Sequence, residues 1–134
     1  MLYYTLSTGI GGGIVLNGEL YKGANGFAGE LGHMTVDFNG PRCNCGNVGC
    51  LEALASGSAL AREARAGITL GESTTLSDEN ANGPSAIQIF QAAMKGDRFS
   101  MRLVNRAARA LGAAFVSAAY AFDPHVIIVG GGIS

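Results

Sequence analysis

The stretch Gly29-Glu30-Leu31-Gly32-His33, followed after an intervening loop by Cys43-Asn44-Cys45-Gly46-Asn47-Val48-Gly49-Cys50-Leu51-Glu52, organises the reading of this 134-residue chain. It holds His33 and all three cysteines, Cys43, Cys45 and Cys50. One imidazole and three thiolates make a complete tetrahedral set for zinc. Four protein ligands leave no open position for a catalytic water, so the Zn²⁺ expected in this loop, residues 33–52, is structural. Gly46 and Gly49 permit the bend between the Cys43-x-Cys45 chelate and Cys50. The competing reading is a set of reduced cysteines that are simply buried. Two carboxylates, Glu30 and Glu52, flank the ligands. A carboxylate accepts from two neighbouring hydroxyls at once, as a sugar ring offers them. The alternative is that one glutamate hydrogen-bonds a ligand and the other is a helix-start charge.

Working outward, composition bounds the class. Hydrophobic residues make up 48% and charged residues 14%, which fits one domain with a real core and not a disordered chain. A net charge of −1 points to neither nucleic acid nor an anionic membrane as a partner. Arg98, Arg102, Arg106 and Arg109 share a helical face and read as a solvated flank, ahead of a phosphate-contacting stripe. Three crowded cysteines cannot pair completely, so a reducing, cytoplasmic location is expected. The N-terminus lacks a signal-peptide pattern, and no apolar run is long enough to span a bilayer.

Periodicity predicts an α/β chain. Strands are expected at 3–7 and 13–17, with the type I′ signal Asn17-Gly18 leading into a third at 19–21. Met34-Thr35-Val36 reads as a short strand that brings His33 to the metal. A single helix is predicted from Cys50 to about Ala66, a polar surface loop over 68–83, and a helix from Pro84 to about Lys95. The long helix over 98–122 is expected to bury Met101, Val104, Ala108, Leu111, Phe115, Ala118 and Phe122. The apolar run His125-Val126-Ile127-Ile128-Val129 reads as a strand inside a sheet. Two glycine turns stand out. Thr8, Gly9, Gly11, Gly12 and Gly13 follow a strand and can offer N–H groups and a hydroxyl to phosphate oxygens, although a tight hairpin uses glycine in the same way. Gly130, Gly131 and Gly132 form the second. His125 reads as a surface histidine, and the methionines as core fillers.

Together these residues resemble the ROK family of sugar kinases and sugar-responsive repressors. The match rests on Leu6-Ser7-Thr8-Gly9-Ile10-Gly11-Gly12-Gly13, on Glu30-Leu31-Gly32-His33, on Cys43-x-Cys45-Gly46-x-x-Gly49-Cys50-Leu51-Glu52 and on Val129-Gly130-Gly131-Gly132. The resemblance implies an actin-like, ribonuclease H-like fold in which two domains close on sugar and ATP. Residues 1–134 would then be part of the C-terminal domain, truncated at both ends. It implies that Glu30, His33 and Glu52 hold sugar hydroxyls, with Gly9 close by. Thr8, Gly9, Gly11, Gly12 and Gly13 would face the phosphates of Mg²⁺-ATP, and Gly130, Gly131 and Gly132 the adenosine. The family's Asp-x-Gly-Gly-Thr-like phosphate motif and its Asn-Asp general base have no counterpart among Asp37, Asp78, Asp97 and Asp123. No turnover is therefore expected of this segment alone. The expected activity of the complete protein is phosphorylation of a hexose or N-acetylhexosamine, glucokinase-like in type, by a protein that dimerises. The alternative is the sugar-sensing domain of a repressor.

Overall fold

The computed structural model describes residues 1–77 and 83–134. The middle of the loop expected over 68–83 thus lies outside the described residues, and Asp78 with it.

Strand alternation sets the first layer. In β1 (Leu2–Leu6), Leu2, Tyr4 and Leu6 are buried while Tyr3 faces outward, the two-residue period of a half-buried strand. β1 pairs antiparallel with β2 (Ile10–Leu16). Asn17 and Gly18, at φ 52° and 82°, form the predicted turn into β3 (Glu19–Leu20). On its other side β1 pairs in parallel with β4 (Ile127–Gly130), giving the order β3-β2-β1-β4. The sheet is mixed, and the expected α/β class holds.

Among the described residues four α-helices complete the fold: α1 (Leu51–Ala55), α2 (Gly57–Thr69), α3 (Ala86–Met94) and α4 (Arg98–Phe122). α4 packs Leu103, Ala107, Ala114 and Ala118 into the same core as Leu2, Tyr4 and Leu6. The Tyr4 and Phe115 rings meet edge-on at 4.9 Å, a favoured aromatic geometry. Asp97 caps α4. Its carboxylate accepts from the Ser100 N–H at 2.7 Å, the Thr75 N–H at 2.6 Å and the Thr74 hydroxyl at 2.9 Å. Burial alone would push this carboxyl up, but the hydrogen bonds outweigh it and hold it well below the ordinary range. Arg102 pairs with Glu72 and Arg106 with Glu63 at the exposed flank, as the solvated reading requires. Among the described residues no helix is long and apolar enough to cross a membrane.

Four expectations are corrected. The helix expected from residue 50 to 66 is two helices, broken at Ser56, whose extended backbone (φ −74°, ψ 163°) lets its hydroxyl oxygen accept the Ala59 N–H. The break turns the N–H groups of Gly57 and Ser58 onto the carbonyls of Ser7 and Thr8. The buried stripe of α4 is rotated: Met101 and Phe122 are 44% and 40% exposed, while Leu103, Ala107 and Ala114 are inside. Alanines occupy the closest approaches there, and larger side chains go to the flanks. β4 is an edge strand with Ile128 and Val129 each 40% exposed. Finally, His33 lies in a 3₁₀ turn (Leu31–His33), and the expected strand at 34–36 is reduced to a single bridge between Thr35 and Cys50.

Candidate metal centre and adjoining cleft

His33, Cys43, Cys45 and Cys50 converge. Their ligand atoms all lie within 4.8 Å of one another. His33 Nδ1 is 3.7 Å from Cys43 Sγ, and Cys45 Sγ is 3.6 Å from Cys50 Sγ. A tetrahedral zinc with bonds of about 2.0–2.3 Å spaces its ligand atoms about 3.5–3.8 Å apart, so the donor set suits that ion in kind and these two pairs match it in spacing. Local geometry explains the convergence. The Gly46 N–H bonds the Cys43 carbonyl at 3.0 Å and the Cys43 N–H the Asn47 carbonyl at 2.8 Å, folding the C-x-C segment back on itself. Gly49, at φ 69°, packs so close that a Cβ would run into the Asp37 carbonyl. The Leu51 N–H reaches the Met34 carbonyl at 3.0 Å, joining the two halves of the ligand set.

Burial pushes the Cys50 thiol up to about 12, and the neighbouring sulfurs of Cys45 and Cys43 add to the shift. The Asn47 backbone lowers the exposed Cys45 thiol. Three sulfurs this close resist ionising together, and a divalent cation among them inverts that balance.

The two carboxylates have different settings. Glu30 is exposed and its side chain makes no cap bond to the 3₁₀ turn. Glu52 reaches across to the hairpin: its Oε2 accepts the Ile10 N–H at 2.9 Å, and a Cβ on Gly9 would stand 2.6 Å from that same oxygen. Gly9 and Glu52 are thus brought together. Gly11, Gly12 and Gly13 lie within β2 and not in the turn. A Cβ on Gly12 would collide with the Gly29 carbonyl and with Leu31, so the bare strand lets residues 29–32 lie flat on it.

The other end of the turn borders a cleft of about 650 Å³. Thr8 and Gly132 line it, together with Ser58, Arg62, Arg65 and Ser85. Gly130 is in β4 against the Tyr3 hydroxyl, and Gly131 packs on the Leu6 backbone. The sequence reading missed Ser58, Arg62, Arg65 and Ser85. A signal was available, because Ser58, Ala61, Arg62 and Arg65 recur at helical spacing. Arg62 is braced by the Ala53 carbonyl at 2.8 Å. The turn's backbone is held by the Gly57 N–H on the Ser7 carbonyl (2.8 Å) and by the Ser58 N–H and hydroxyl on the Thr8 carbonyl (3.1 and 2.8 Å).

The profile of the ROK family matches residues 1–134. The chain is 44% identical to the glucokinase of Thermotoga maritima over 135 residues, covering 97% of this chain and 42% of that protein. It therefore spans about two fifths of the length of that relative. A ROK family glucokinase from Streptomyces griseus, solved in complex with glucose and AMPPNP, superimposes with a TM-score of 0.81 at 37% identity, over 98% of this chain and 44% of that one. A ROK family transcriptional regulator, a homologue of the E. coli MLC protein, superimposes with a TM-score of 0.82 at 38% identity, over 98% and 33%.

Proposed function

The chain belongs to the ROK family, and from that premise we propose that it forms most of the C-terminal, sugar- and metal-binding domain of an ATP-dependent hexose kinase of glucokinase type. The observation that carries this reading is the turn at residues 7–10. At one end Gly9 and Ile10 meet the Glu52 carboxylate, and at the other Ser7 and Thr8 wall the cleft. A carbohydrate acceptor and a phosphate donor would thus meet across a few residues of backbone, which is the positioning that phosphoryl transfer needs.

Zn²⁺ bound by His33, Cys43, Cys45 and Cys50 would supply rigidity without an open coordination site. His33 Nδ1 faces Cys43, so Nε2 is the nitrogen left for a sugar hydroxyl. Glu30 and Glu52 would accept from sugar hydroxyls, Glu52 through Oε1, since Oε2 holds Ile10. Thr8, Gly9 and Gly132 would touch Mg²⁺-ATP directly. Gly11, Gly12, Gly13, Gly130 and Gly131 would shape the wall behind it. The general base would come from another part of the protein. Asp97 is committed to its cap, and Asp37 accepts the Asn39 N–H.

The test is titration of the zinc-loaded chain with glucose and N-acetylmannosamine, in the wild type and in Glu30→Ala and Glu52→Ala. Loss of a hydrogen-bonded carboxylate should weaken binding about tenfold or more. Unchanged affinity in both variants would discard the sugar assignment. The repressor reading draws on the regulator's equal structural likeness. It predicts sugar binding with no response of Thr8 or Arg62 to AMPPNP, whereas the kinase reading predicts that both respond.

A further inference from the structure

We propose that the metal loop clamps the backbone of Ile10 on both sides, at its N–H and at its carbonyl, with Glu52 as the positioning residue, so that zinc occupancy sets the shape of the turn facing the cleft. The inference rests on the zinc reading above and extends it from the sugar side to the turn. Two contacts carry it. Glu52, two residues beyond the ligand Cys50, accepts the Ile10 N–H at 2.9 Å. Gly32, one residue before the ligand His33, lies so close to the Ile10 carbonyl that no side chain fits between them. The two peptide groups on either side of the Ile10 Cα are therefore held by residues adjoining metal ligands that are 17 positions apart in sequence (50 − 33). Glu52 is tied onward to the same turn, since its carbonyl accepts the Ser56 N–H at 3.2 Å. Ser56 breaks the helix, and Gly57 and Ser58 bond the Ser7 and Thr8 carbonyls. A metal that fixes Cys50 relative to His33 thereby fixes the turn, and loss of the metal frees Glu52 to leave it.

The test is amide hydrogen exchange on the chain, with no sugar or nucleotide present, so its outcome does not depend on the kinase reading. Removing zinc should speed exchange at Ile10 by about tenfold or more, while Val15 and Tyr21 at the far end of the hairpin stay protected. Zinc-loaded Glu52→Ala should open Ile10 similarly, and zinc removal should then add little there. Glu52→Gln keeps an oxygen acceptor and should restore protection, which a merely space-filling role would not require. By reciprocity, Glu52→Ala should weaken zinc affinity, measured by chelator competition, by the factor that coupling contributes. Zinc removal that leaves Ile10 unchanged, or Gln behaving like Ala, overturns the coupling alone. A chain that takes up no zinc overturns the metal reading and the coupling with it. Should zinc removal also release Val15 and Tyr21, the zinc-loaded pair decides: opening in Glu52→Ala but not in Glu52→Gln supports the clamp, and equal protection overturns it.

Discussion

The layer of β1 against α4 and the loop at residues 33–50 reach order by different routes. In the former, Leu2, Tyr4, Leu6, Leu103, Ala107, Ala114 and Ala118 share one buried cluster. In the latter only Cys43, Gly49 and Cys50 are buried. What the loop has instead is backbone hydrogen bonds, glycines in left-handed conformations and four converging donors. Apolar burial stabilises a region whatever the metal concentration. A loop built on ligands draws its stability from the ion and should be lost with it. The two regions should thus fail independently.

The largest effect is expected at Cys50. Zinc-finger peptides gain roughly 10–16 kcal/mol from their ion, so removing one of four ligands should abolish stoichiometric zinc. Cys50→Ala should do so by elemental analysis and release amide protection across 33–50, with the β1 and α4 amides still protected. Leu2→Ala probes the other region. Truncating a fully buried leucine costs about 2–5 kcal/mol, which should lower the urea midpoint while zinc stoichiometry stays at one. Loss of zinc in Leu2→Ala would show that the regions are one cooperative unit.

Asp97 comes next. Its folded carboxyl titrates below the unfolded value of about 3.9, so its stabilisation is complete above that pH and is lost as pH falls toward the folded value. Asp97→Asn should cost about 0.5–2 kcal/mol at neutral pH as a weakened cap. The gap in thermal midpoint between wild type and variant should narrow from pH 5 to pH 3. Acid also strips zinc by protonating thiolates, but it does so in both proteins, so the narrowing isolates the cap. Smallest is Gly46→Ala. Gly46 has φ 94° with nothing within 4 Å of a Cβ, so only the left-handed strain applies, about 1 kcal/mol. Gly49→Ala adds a collision with Asp37 and should cost visibly more in zinc affinity, measured against the same chelator.

What could be read from the sequence followed how local each determinant is. The convergence of His33, Cys43, Cys45 and Cys50 was legible because the four residues fall in one short stretch. The β2–β3 turn was legible because Asn17-Gly18 needs no tertiary context. The break at Ser56 was hidden by Leu51, Leu54, Ala55 and Ala59, which continue a helical pattern across it. Its cause is tertiary, since residues 57 and 58 bond a turn some 50 positions earlier. The face of α4 was misread because alanines on every side make the apolar pattern nearly isotropic. Size decided it instead, leaving Tyr120 90% exposed. For β4 an apolar run suited an interior strand, yet pairing on one side only puts it at the sheet's edge. The cleft needed four separated segments to come together, which no local pattern encodes. The Glu52 contact with Ile10 was equally invisible, although the carboxylate itself had been singled out.

The start of α2 carries one more consequence. Helix beginnings normally attract anions through unpaired amides. Here the amides of Gly57, Ser58 and Ala59 are already taken by Ser7, Thr8 and Ser56. A polyanion entering beside Thr8 therefore meets no bare helix dipole, and positive charge at that mouth is supplied by guanidinium groups one turn apart. Affinity for such a ligand should accordingly fall steeply with added salt, as it does for attraction between mobile ions.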